Sequence, residues 1–194
     1  MNRTSAAAVL VAFAVFAGLA ARTGSAAPSA ADLEKEKAMK DPYANDLGPD
    51  KVDVSSYPKD IQEGYKALTV KCAKCHSAAR PLNSQFVETA GKDEAERKKS
   101  LEALKKSDPD LFKDKAVWQV EDGIWQRYVK RMMAKPGCDI SKDEGKKIWQ
   151  FIAHDSRERK LKKKAEWAAA RQKMLADFKA KHAHRYEELY GKKN

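Results

Sequence analysis

Apolar and polar positions along this chain recur with helical spacing rather than in strict alternation. Residues 28–58 form a polar extension in which ADLEKEKAMK has helical character and DPYANDLGPDKVDVSSYP is dense in turn formers. Past Pro58, the residues Ile61, Tyr65, Leu68 and Cys72 recur four, three and four positions apart, as one helix face does. A loop at 77–91 and a charged helical stretch at 92–106 follow, ended by the SDPDLF break. Val117, Val120, Ile124, Tyr128 and Met132 mark a further helix face that stops before Pro136 and Gly137.

The next helix begins within ISKDEGKKIWQFI. Its Ser141 and Glu144 have capping-box spacing, in which each side chain satisfies the other's backbone N–H. Ile148, Phe151 and Ile152, with Trp149 beside them, supply the apolar face. From about Ser156 the chain reads as a long basic helix with one thin seam of Leu161, Ala168, Leu175, Phe178, His182 and Leu189. Such a seam builds no core of its own. It suits either a solvated, frayed helix or one that docks or self-associates.

These patterns predict an all-α fold, with a compact domain over 59–155, the extension before it and a helical tail over 156–194. No repeat is present, and Gly and Pro gather between the helical segments.

The N-terminus adds a location. Arg3 precedes the unbroken apolar run AAAVLVAFAVFAGLAA (6–21), and Ser25, Ala26 and Ala27 follow it, the layout of a secretory signal peptide cleaved near Ala27. The run falls short of the ~20 residues that span a bilayer; uncleaved, it would be an N-terminal membrane anchor. The expected location is the periplasm. Loss of residues 1–27 lowers the formal charge from +11 to +9. A surface this basic is either simply solvated or suited to an acidic protein partner. Export, and the acids interleaved among the lysines, argue against nucleic acid.

The chemistry lies in KCAKCHSAARPLN (71–83), which holds two of the chain's three cysteines and one of its four histidines. A redox dithiol of this spacing belongs in a strand–helix–strand pattern that is not evident here. A structural zinc ion needs four ligands, and Cys75 followed directly by His76 is poor geometry for both to reach one tetrahedral ion. Covalent haem attachment needs this adjacency. Two thiols a helical turn apart match the two vinyl groups, and the next residue is positioned under the iron. Cys72, Cys75 and His76 therefore point to one haem c.

The donors available for the other face of the iron are Met132, Met133, His154 and Cys138. Met132 shares a face with Tyr128 and Ile124 and is the first choice; Met133, above Val129, is the alternative. A thioether favours ferrous iron and raises the potential, as an electron carrier requires. Whichever methionine does not bind iron is expected to fill core space. His154 is expected at the surface, and His182 and His184 away from the iron. Cys138 either pairs between chains or is a small buried residue beside the cofactor.

CAKCHSAARPLNSQF together with WQRYVKRMMAKPGCDISKDEGKKIWQFI resembles the monohaem class I cytochromes c over roughly residues 59–155. The resemblance implies a helical fold around one covalent haem, with the first and last helices crossing through Gly64-Tyr65 and Trp149/Phe151. It further implies that a backbone carbonyl, with Pro81 as candidate, holds the other ring nitrogen of His76. Arg80 is then either a partner for a haem propionate or a free surface arginine. The insertion at 92–115, the extension and the tail depart from the family pattern. With both axial positions filled, the expected function is one-electron transfer rather than catalysis. The alternatives are a haem subunit fixed in a larger complex through the tail, and a five-coordinate haem that binds a gas or reduces peroxide.

Overall fold

The computed structural model describes residues 27–87, 90–109, 111–113, 117–119 and 122–191. The apolar run of the expected signal peptide and Val120 lie outside these residues. Ser29 caps the first helix, α1 (Ala30–Lys40), by accepting from the Asp32 N–H while Asp32 accepts from Ser29. A 3-10 turn at Ala44–Leu47 leads towards α2 (Lys59–Lys71), a 3-10 turn at Cys72–Lys74 and the single-turn α3 (Ala79–Leu82). Then come β1 (Gln85–Val87), α4 (Glu94–Ser107), β2 (Val117–Gln119), α5 (Asp122–Met133) and α6 (Lys142–Asp155). A π-helical turn at Ser156–Leu161 joins α6 to α7 (Lys164–Lys181), and α8 (Ala183–Tyr190) follows.

The all-α class holds but for one three-residue parallel ladder, in which Gln85, Phe86 and Val87 pair with Val117, Trp118 and Gln119. Val117 therefore belongs to a strand, and the helix assigned to it from periodicity starts only at Asp122. Three residues are too few to show a period of two, and the partner strand is remote in sequence, so the pattern carried no trace of the pairing.

The core forms where α2, α5 and α6 meet. Ile61 and Leu68 of α2 pack with Trp125 and Val129 of α5 and with Ile148, Phe151 and Ile152 of α6. Each such side chain, fully buried, contributes about 1.5–3 kcal/mol relative to exposure. The crossing of α2 on α6 depends on Gly64, since a Cβ there would strike the Lys147 carbonyl and lie 2.8 Å from Phe151 Cβ. Tyr65 meets Phe151 with ring centroids 5.2 Å apart. At the start of α6 the capping box forms, with Glu144 N–H to Ser141 Oγ at 3.2 Å and Ser141 N–H to Glu144 Oε2 at 2.8 Å.

The tail is neither solvated nor projecting. Its buried line is Trp167, Arg171, Met174 and Phe178, whereas Ala168 of the expected seam is exposed. The true line has spacings of four, three and four but carries an arginine, so a search for apolar residues passes over it. α7 packs on the 44–47 turn. Its root is clamped by buried polar groups: Lys160 Nζ donates to the Ser84 carbonyl at 2.8 Å, and Arg159 donates to the Leu82 carbonyl and to Asp155. Farther on, Arg185 donates to the Pro42 carbonyl at 3.5 Å.

Candidate cofactor-binding site

α2 ends by delivering Cys72 to its C-cap. The following turn closes when the N–H groups of Cys75 and His76 both reach the Cys72 carbonyl, the latter at 3.4 Å. These bonds gather the two thiols and the imidazole on one wall of a cavity of about 540 Å³. Trp125, Tyr128, Val129, Ile140, Ile148 and Ile152 supply apolar walls, and Met132 lines the same space. Met133 does not; its Sδ would lie 2.5 Å from a Cβ built on Gly145, so it fills the gap that this glycine leaves beside α6.

Burial lowers the pKa of His76, so the neutral ring is favoured. Its Nδ1 lies 2.9 Å from the Ser77 carbonyl. The proton belongs on that nitrogen, which leaves the Nε2 lone pair available for a metal. This corrects the expectation for Pro81. Pro81 is buried and lines the cavity, but its carbonyl accepts from the Ser84 N–H, and the carbonyl of Ser77, next in sequence to the histidine, does the orienting. Burial also pushes the Cys72 thiol up to about 12 and raises that of Cys75, so both are favoured as thiols.

One end of the cavity is polar. Arg80 lines it, but its guanidinium is engaged by Asp46 through Nε at 2.9 Å and Nη2 at 2.7 Å, and lies 5.1 Å from the Tyr43 ring centroid. A carboxylate from the chain's own extension thus takes the role expected of a propionate, because the 44–47 turn brings it within reach. Asn45 donates to the Arg80 carbonyl at 2.8 Å and to Ser84 Oγ at 3.0 Å. Its Oδ1 is buried without a hydrogen-bond partner among the described residues. An apolar slot with paired thiols and a neutral imidazole on its wall fits the apolar ring of a haem. The buried Asn45 Oδ1 at one end can only accept a hydrogen bond and so suits a donor such as a protonated carboxyl or water rather than an ionised propionate.

Comparison of the chain with protein-family models, with curated proteins and with solved structures finds no match. The site therefore rests on its own geometry. Elements outside residues 59–155 complete it: Glu34 and Ala38 of α1, Tyr43 and Asn45 of the extension, and Leu189 of α8 all line the cavity. Glu34 is tied across the rim to Lys135 at 2.7 Å. None of these residues carries a motif, and only folding shows their role.

The remaining donors lie elsewhere. His154, expected at the surface, is half-buried edge-on to Tyr57, with ring centroids 4.7 Å apart. His184 is exposed, and His182 stacks on Phe178. Cys138 is half-buried and does not line the cavity.

Proposed function

We propose that this protein is an extracytoplasmic one-electron carrier with a single haem c. The observation that carries the reading is that Cys72, Cys75, His76 and Met132 line one apolar cavity. Cys72 and Cys75 would hold the haem as thioethers, and His76 Nε2 and Met132 Sδ would bind its iron. The haem supplies exchange between ferric and ferrous iron. The chain orients the imidazole through Ser77, excludes water with Trp125, Tyr128 and the isoleucines, and favours the reduced state through a thioether ligand.

The formal charge of +9 on a chain without residues 1–27 would steer an acidic donor or acceptor into a short-lived, salt-sensitive encounter in the periplasm. The carrier reading is preferred to a fixed subunit because the extension and tail pack on their own chain.

The test is the optical spectrum of protein matured with haem in a periplasm. Oxidised wild type is expected to show the weak far-red band of methionine bound to ferric iron, lost in Met132→Ala and retained in Met133→Ala. A high-spin wild-type spectrum without that band would replace electron transfer with gas or peroxide chemistry.

A further inference from the structure

The third cysteine has no part in that reading, yet the fold brings it to the attachment turn. Asp139, its neighbour, is gripped by both lysines of that turn: Lys71 Nζ reaches the Asp139 carbonyl at 3.1 Å and Oδ2 at 3.3 Å, and Lys74 Nζ reaches the same Oδ2 at 2.8 Å. Lys71 also pairs with Glu144 at 3.3 Å, which fixes the segment between α5 and α6 against the end of α2. Gly137 and Asp139 share a surface groove with Ala73 and Lys74, while Lys135 and Ile140 face the cavity beside Cys72 and Cys75.

The segment carrying Cys138 therefore runs along the Cys72–Cys75 turn on two sides. All three sulfurs are thiols, and all three residues are half-buried.

We infer that Cys138 is a third redox-active thiol of the attachment site, which forms a disulfide with Cys72 or Cys75 in the folded, haem-free chain. Either link leaves the other cysteine of the pair as a free thiol. For its bearing on attachment the inference rests on the haem reading, because a cysteine held in a disulfide cannot add to a vinyl group. The oxidant is a small-molecule or protein disulfide. One protein thiolate attacks it and releases one reduced thiol; the second protein thiolate then displaces the other. One protein S–S bond forms, two thiol protons are lost, and two electrons reduce the oxidant's disulfide.

The experiment takes the full mature chain made without haem and equilibrates it with oxidised and reduced glutathione. It is then quenched with acid, alkylated and mapped by mass spectrometry under non-reducing conditions. In native buffer most of the disulfide is expected to join Cys138 to Cys72 or Cys75. In guanidinium the fold is gone, and short-loop closure is expected to shift the population to Cys72–Cys75. A free Cys138 in native buffer, only intermolecular links through it, or the same map in both solvents overturns the inference. A haem stain of wild type and Cys138→Ser, both matured in an oxidising periplasm, adds a second readout. The variant is expected to carry at least twofold more haem per chain, and an equal or lower load overturns the effect on attachment. Haem absent from both proteins while the native map shows the Cys138 link would instead remove the haem reading and leave the disulfide standing.

Discussion

Met132 and Met133 are adjacent in sequence, yet one faces the cavity and the other packs beside Gly145. Successive helical residues diverge by about 100°, so only one of two neighbours can share the face of Tyr128 and Ile124. Met133 is partly buried against the core, so Met133→Ala is expected to lower the free energy of urea unfolding by about 1–2 kcal/mol, at or below the low end for a fully buried methionine. The oxidised spectrum is expected to keep its far-red band; loss of the band from this variant alone would make Met133 the ligand. That Cys72, Cys75 and His76 share one cavity was legible because they stand within one turn of the sequence. Asp46 was not, because its partner Arg80 lies 34 residues away and nothing local marks the pair.

At the scale of elements, the π-helical turn between α6 and α7 carries a lysine that burial holds far below its usual range, to about 7. Lys160 is 2% exposed and donates to the Ser84 carbonyl, so the root of the tail is tied by a buried lysine to the segment just after α3. Its folded pKa lies below the unfolded value, so between about 7 and 10.5 the unfolded chain binds more protons. The burial penalty is full below that window and relieved as pH rises through it. The unfolding free energy of wild type relative to Lys160→Met is therefore expected to rise from pH 7 to pH 10, as followed by denaturant titration at several pH values. A difference that stays flat would mean that Lys160 remains charged when buried. The sequence marked a helical tail, but its apolar seam was misplaced because the docked face includes Arg171 and its partner surface is built from the extension.

For the molecule as a whole, extension and tail close on each other over the cavity. Two guanidinium groups lie over the Tyr43 ring, Arg80 at 5.1 Å and Arg185 at 5.5 Å, and Leu189 reaches the cavity wall one turn later. Removing α7 and α8, by ending the chain at Lys163, is expected to lower the thermal midpoint of the matured protein. It is also expected to speed displacement of the methionine ligand by added imidazole at least tenfold, read by stopped-flow absorbance. Unchanged displacement kinetics would show that the tail takes no part in closing the site.

The sequence by itself determined most of the helical segments, the cap at Ser141 and the Cys-x-x-Cys-His cluster, since each depends on residues within a few positions. Only the tertiary structure decided that Asp46 neutralises Arg80, that Ser77 rather than Pro81 orients His76, that the tail completes the cavity and that Cys138 lies against the attachment turn. Each of those depends on which distant surfaces meet. That is set by the shared burial of α2, α5 and α6 and by the charged clamps around them, and no local pattern encodes it.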